Sequence, residues 1–358
     1  MKALYDRRNF IKTSSVAGIG LGISGSILPL YSRGMSSTTG KRVGIIGLDT
    51  SHCVKFTKEI NSFNGSSKLG GYKVVAAYPQ GSLDIESSTK RIPGYTEEVR
   101  KMGVEIVDSI PSLLEKVDLI LLETNDGRRH LEQSIPVLKA GKPMFIDKPI
   151  AASLSDAIVI VEVAKHYKAP FFSSSSLRFM SSVQDIVNGK IGKVLGADVY
   201  SPYILEKTHP DFFWYGIHGV EMLYSLMGRG CKTLTRFHTD GAEVVVGTWD
   251  DGRLGTLRCM HPQKNIYGTP DGEFGGIAFG ETGDAVVGPF EGYNPLLIEI
   301  IKFFQTSISP VNEEVTLEIC AFMEAADESK RRNGASVVLD EIWSKAKRDA
   351  QKKLKNLI

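Results

Sequence analysis

The chain has 358 residues, enough for two domains of ordinary size. Its 42% apolar and 23% charged residues are typical of a soluble globular protein. A formal net charge of +2, with no long basic run away from the ends, leaves no electrostatic footprint for nucleic acid. Cys53, Cys231, Cys259 and Cys320 are widely spaced and form no CxxC pair, so they read as scattered core thiols rather than a zinc site or disulfide framework.

Residues 6–12 read Asp-Arg-Arg-Asn-Phe-Ile-Lys, and a glycine-rich, mildly apolar run follows over 16–30. That run is shorter than the ~20 apolar residues of a bilayer span. Its charged-then-apolar order is that of a secretory signal. With Arg7 and Arg8 followed by Phe10, Ile11 and Lys12, the segment resembles a twin-arginine export signal. The resemblance implies a signal and linker over 1–40, cut within the Ser/Gly/Thr-rich stretch 32–40. It also implies a periplasmic protein, exported already folded and without a stable membrane span in its mature form. A redox enzyme in that compartment must keep its cofactor bound.

From residue 42 the pattern alternates between short apolar runs and helical spacing. The spacing predicts strands over 43–47 (VGIIG), 73–78 (KVVAAY), 104–107, 118–123 (DLILLE) and 143–147 (PMFID). Between them lie helical stretches at Val54, Phe56 and Ile60, at 110–116 and at 130–140, the last closed by Gly141. Such alternation predicts a doubly wound parallel sheet, a Rossmann-type α/β domain over 41–168. Ligands in that fold sit at the carboxyl ends of the strands.

A dinucleotide-binding loop wants G-x-G-x-x-G after the first strand, so that backbone can approach the pyrophosphate and helix can pack on strand. Here it reads Gly47-Leu48-Asp49-Thr50-Ser51-His52. Asp49 stands where the second glycine belongs, and a carboxylate there repels a pyrophosphate. Asp49 or Thr50 is instead a plausible helix N-cap. The second strand ends in Tyr78-Pro79-Gln80, without the usual acid for the ribose. The polar cluster at this sheet edge also suits a sugar hydroxyl or a metal.

Beyond Asp147-Lys148-Pro149 a helix is predicted over 156–166, and a second sheet is predicted to begin at 170–173. Its further strands are read over 194–200, 244–249 and 254–260, with Asp250-Asp251-Gly252 as a hairpin turn. Another helix opens at Tyr215-Gly216-Ile217-His218. The glycine-rich stretch 268–283 reads as a mobile loop near the sheet's edge. The second domain, over 169–345, is therefore α+β with a large, mostly antiparallel sheet, and 346–358 is a basic, solvated helix end.

Several runs share one order and spacing: 43–47, Thr124-Asn125 before His130, 141–151 (GKPMFIDKPIA), Arg178-Phe179, Ile191-Gly192 and 216–228 (GIHGVEMLYSLMG). On these, nearly all of 41–345 resembles the Gfo/Idh/MocA oxidoreductase family. The resemblance implies NAD or NADP as cofactor, with Gly44, Gly47, Asp49, Thr50, Ser51, His52, Thr124, Asn125 and Asp147 as candidate contacts. It makes Lys148 the active-site lysine, although the family's usual Glu-Lys-Pro is here Asp-Lys-Pro. It makes His218 the catalytic or substrate-orienting histidine. Trp214 stands where the family often has an acid, and an aromatic there suits a sugar face. Arg178, Tyr215, Glu221 and His130 complete the candidate substrate contacts; no metal ligand is assigned. The sheet implies a homodimer or homotetramer.

Three readings follow. One is a carbohydrate or polyol oxidoreductase with tightly held NAD(P), with Lys148 and His218 handling the proton. Another keeps that pair as acid and base of a lyase, hydrolase or isomerase on keto-sugars without nicotinamide. In that case Asp49 and His52 contact substrate or a divalent metal. The third is a non-catalytic sugar-binding protein.

Overall fold

A computed structural model describes residues 41–62, 69–260 and 273–358. The export segment read over 1–40 and the His261-Pro262 loop lie outside them. The first sheet is built from β1 (Arg42–Ile46), β2 (Lys73–Tyr78), β3 (Glu105–Ile106), β4 (Leu119–Leu122), β5 (Met144–Asp147) and β6 (Phe171–Ser174). They pair in parallel in the order β3-β2-β1-β4-β5-β6. That is the doubly wound order, with its switch point between β1 and β4. β4 and β5 are buried throughout, as strands covered by helices on both faces must be.

The connecting helices are α1 (Ser51–Ser62), α2 (Glu86–Lys101), α3 (Ile110–Lys116), α4 (Gly127–Lys139) and α5 (Leu154–Tyr167). Ser109, Asp126 and Ser153 cap α3, α4 and α5 by accepting from the amides of Ser112, Arg128 and Asp156. The last two caps explain why α4 and α5 begin a few residues before the predicted starts.

Residues 170–173 do not open the second sheet. Phe171–Ser174 is the outer strand of the first, paired in parallel with β5 through Met144↔Phe171 and Asp147↔Ser174. The intervening α5 supplies the crossover that a parallel pair requires.

After a turn at Ser176–Phe179 and α6 (Ser181–Val187), the second sheet collects seven strands among the described residues. They are β7 (Val194–Pro202), β8 (Cys231–His238), β9 (Ala242–Trp249), β10 (Leu254–Met260), β11 (Gly275–Gly280), β12 (Gly283–Val287) and β13 (Val337–Val338). The order is β12-β11-β7-β10-β9-β8-β13, antiparallel except for β7 beside β10. The hairpin turn falls where expected, with Gly252 at φ +85°. The stretch read as a mobile loop is instead, from Gly275 onward, the edge hairpin β11–β12.

Helices α7 (Ile217–Met227) and α9 (Glu313–Arg331) cover one face of this sheet, where Tyr224 packs on Trp249 and Phe322. Helix α8 (Asn294–Thr306) returns to the first sheet and buries Leu296, Ile300 and Phe304 with Val43, Phe56 and Phe172. Helix α10 (Leu339–Leu354) crosses the position expected to begin a solvated end. It buries Ala346 and Ala350, and Lys353 pairs with Asp156 at 2.6 Å. Both sheets lie in one compact unit, Thr39–Ile358. All four cysteines are buried and free. Among the described residues no helix is long and apolar enough to cross a membrane.

Candidate active site

The loop after β1 lies at the carboxyl edge of the first sheet. Gly47 has φ +85°, and a Cβ there would lie 2.6 Å from the Thr124 backbone, so only glycine fits. Gly44 is different: it sits inside β1 against Leu113 and Val117, and its missing side chain serves helix packing rather than a ligand. Asp49 does not cap its own helix. Its Oδ2 accepts from the Ser82 amide at 3.1 Å and its Oδ1 from the Asn125 amide at 2.9 Å, bracing the loops after β2 and β4. Burial pushes its pKa up, against those two amides. The buried hydroxyls of Thr50 and Thr124 have no hydrogen-bond partner. Ser51 is the first residue of α1.

His52, at the position of the third fingerprint glycine, reaches into the sheet edge. Its Nδ1 lies 3.1 Å from Asp147 Oδ2 and 3.5 Å from Glu123 Oε2. Burial opposes the imidazolium, but Asp147 and Glu123 outweigh it and raise His52 to about 9. Burial pushes Glu123 up to about 7. Burial would raise Asp147 as well, but His52 and Lys148 hold it down at about 2.

Lys148 is buried beside this group, its amide donating to Asp147 Oδ1 at 2.8 Å. His218, on the first turn of α7, pairs its Nδ1 with Ser175 Oγ at 2.8 Å, which leaves Nε2 for a ligand. Burial and then the neighbouring Lys148 charge hold His218 well below the usual imidazole range, so its ring is neutral at neutral pH. That same electrostatic reach brings Lys148, Asp147, His52 and His218 into one constellation.

Beside His218 opens a cavity of about 560 Å³ lined by Tyr200, Tyr215, Phe274, Phe290 and Tyr293 among others. Its rings contact one another edge-on or stacked, with Tyr215 5.0 Å and Phe274 5.7 Å from His218. Ser174 closes β6 and Ser175 follows it. Ser174 Oγ donates to Glu221 Oε1, so one serine run fixes both His218 and Glu221.

Other expected contacts lie elsewhere. His130 is fully buried, with Nδ1 2.8 Å from the Pro149 carbonyl and Nε2 2.7 Å from that of Thr124. It ties β4 to the Lys148-Pro149 turn and has no nitrogen left for a ligand. Trp214 packs on His209 at 5.0 Å instead of lining the cavity, and Tyr215 takes the wall position. Arg178 pairs with Glu221 at 2.5 Å, leaving its buried Nη2 without a partner.

Residues 41–175 match the family model described as "Oxidoreductase family, NAD-binding Rossmann fold". The match covers the first sheet and its connecting helices. An uncharacterized oxidoreductase of Streptococcus pneumoniae is 25% identical over 179 residues, 45% of this chain and 48% of that protein. The chain thus spans about half the length of the curated relative it matches. Among solved structures, the myo-inositol dehydrogenase of Lactobacillus casei in complex with NAD(H) and myo-inositol is 16% identical, with a TM-score of 0.65 over 83% of this chain and 96% of that one. A myo-inositol dehydrogenase from Corynebacterium glutamicum is 15% identical, with a TM-score of 0.65 over 83% and 98%. These likenesses extend the shared fold over most of both chains.

Set against the dinucleotide of an NAD-binding Rossmann fold, the strand order, the Gly47 turn and the orphaned threonine hydroxyls fit. The phosphate cradle does not. The Asp49 carboxylate stands at the second glycine position, tied to the amides of Ser82 and Asn125, and His52 fills the third.

Sequence reasoning missed Glu123, Ser175, Phe274, Phe290 and Tyr293. Glu123 alone carried a signal: an acid closing the apolar run LILL at the carboxyl end of a buried strand.

Proposed function

We propose that the protein is an oxidoreductase acting on a sugar or polyol with NAD or NADP. The observation that carries this reading is neutral His218 lining an aromatic-walled cavity, with the Lys148 charge close enough to act on it, at the carboxyl edge of an NAD-type sheet. Neutral His218 Nε2 can take the proton of a substrate hydroxyl, and the Lys148 ammonium can stabilise the oxygen as it develops charge. Rings of Tyr215, Phe274, Phe290 and Tyr293 suit the C–H face of a sugar ring and exclude water. Arg178, with one unpartnered nitrogen, can donate to a further hydroxyl. The inositol dehydrogenases among the structural relatives support a polyol substrate.

Lys148→Ala and His218→Ala should each lower turnover of an active carbohydrate ~10²-fold or more. Folded variants at wild-type rates would overturn the assignment. Asp49 favours a second reading, in which the same pair serves acid–base chemistry on a keto-sugar without nicotinamide. Denaturing native protein and assaying released nicotinamide separates the two. Asp49→Gly should strengthen dinucleotide binding if the carboxylate is the obstacle.

Export through the twin-arginine route belongs to this proposal, on the strength of Arg7 and Arg8. So does self-association through the second sheet. Phe237, Leu254, Ile277, Phe279 and Val286 are all exposed, and the strand register places them on one outer face.

A further inference from the structure

We infer that His52, Glu123 and Asp147 form a divalent-cation site at the carboxyl edge of the first sheet. The three come from the first turn of α1, the residue after β4 and the last residue of β5. One ligand atom from each lies within 4.8 Å of the other two. Their burial is nearly complete, at 6%, 0% and 1% exposure.

Buried carboxylates elsewhere in this half of the molecule are satisfied: Asp49 takes two amides, and Asp126 takes Arg128 and Ser82. Here Glu123 and Asp147 share one imidazole, 3.5 and 3.1 Å from His52 Nδ1, and neither Glu123 nor Asp147 Oδ2 has a hydrogen-bond partner beyond it. Two buried carboxylates served by a single imidazole leave one negative charge uncompensated in the interior, and a divalent cation among them offsets that cost.

The spacing suits a metal. Nitrogen and oxygen ligands ~2.1 Å from one ion stand ~3.0 Å apart at octahedral and ~3.4 Å apart at tetrahedral angles. The observed separations from His52 Nδ1 are 3.1 and 3.5 Å. The imidazole is also held in place. Phe56 stacks on it at 5.2 Å and Tyr293 meets it edge-on at 4.3 Å, which turns Nδ1 toward the carboxylates.

One imidazole and two carboxylates make a mixed donor set that selects zinc or manganese over calcium. Three protein ligands leave coordination positions open, and Tyr293 lines the cavity as well, so those positions belong to the same end of the molecule as His218. The inference stands apart from the dehydrogenase proposal, since it asks only whether an ion binds.

The protein, purified without chelator, should carry about one equivalent of zinc or manganese by elemental analysis, one ion per His52–Glu123–Asp147 cluster. After chelation, added Zn²⁺ or Mn²⁺ should raise its Tm, and the isosteric variants Glu123→Gln and Asp147→Asn should lose both the bound ion and the shift. Far-UV circular dichroism establishes that the variants are folded. If neither folds, His52→Gln, which alters the ligand but not the acids, takes their place. A metal-free wild type with no Tm response to either ion would overturn the site. Folded variants that keep the ion would do so too.

Discussion

Gly81 and Asp49 compete for one space. A Cβ at Gly81 would stand 2.1 Å from Asp49 Oδ2 and 2.4 Å from its Cγ, so Gly81→Ala must push the carboxylate away by ~1 Å or more. That movement breaks the 3.1 Å bond from the Ser82 amide and strains the 2.9 Å bond from Asn125. A hydrogen bond to a charged group contributes about 1.5–3 kcal/mol, so Gly81→Ala should destabilise by about 2–4 kcal/mol. Asp49→Ala leaves two amides unpaired and should cost about 2–5 kcal/mol. Combined, the two losses should not add, because the methyl at 81 enters the space the carboxylate has left. The double variant should lie within ~1 kcal/mol of Asp49→Ala, a coupling of about 1–5 kcal/mol. Urea unfolding of the four proteins, followed by far-UV circular dichroism, measures that coupling. Simple additivity would refute the idea that Asp49 is held as a brace in this crevice.

Asp126 is fully buried with His209, Arg128 and Ser82, and these hydrogen bonds overcome burial to hold its carboxyl well below the usual range. Its stabilisation is present above pH ~4 and lost as pH falls through the lowered value, so Asp126→Asn should flatten the acid limb of a Tm-against-pH curve. Arg236 is wholly buried and donates to Glu243, Asp327, Asp211 and Tyr203. Arg236→Met strands Asp327 and leaves Asp211 and Glu243 to share Lys330, and should cost about 3–5 kcal/mol in chemical denaturation. Replacing Arg7 and Arg8 by lysines should retain the protein in the cytoplasm, and fractionation with normal periplasmic recovery would remove the export proposal. Lysines at Ile277 and Phe279 should reduce the mass seen by light scattering to that of a single chain; an unchanged mass would exclude the outer sheet face as the contact.

Where local chemistry decides the outcome, the sequence was readable. β2 and α3 fall on the predicted residues, because KVVAAY has no competing period and Ser109 with Pro111 marks a helix start. Strand β6 was assigned to the wrong sheet, since FFSS looks the same in either, and membership depends on a partner 27 residues earlier, Met144↔Phe171. The hairpin at 275–287 was hidden by its glycines. They reflect crowding rather than looseness, for a Cβ at Gly276 would stand 2.4 Å from the Asp198 carbonyl oxygen of β7.

At the site, Lys148 and His218 were legible from their motifs. Asp49's bonding was not, since its partners lie 33 and 76 residues away. Nor was His130's, because a histidine spent on two carbonyls reads the same as one facing a ligand.

The serine run at the end of β6 makes the two sheets inseparable as working parts. Ser174 and Ser175 leave the first sheet and hold Glu221 and His218 on a helix that packs on the second. A fragment ending at 168 would expose the flank of β5 as a bare edge, open to pairing with other chains. A fragment beginning after 175 would carry the histidine without the hydroxyl that aims it. Swapping substrate halves between relatives of this architecture therefore calls for a junction before Phe171, so that each graft brings its own serines with its histidine.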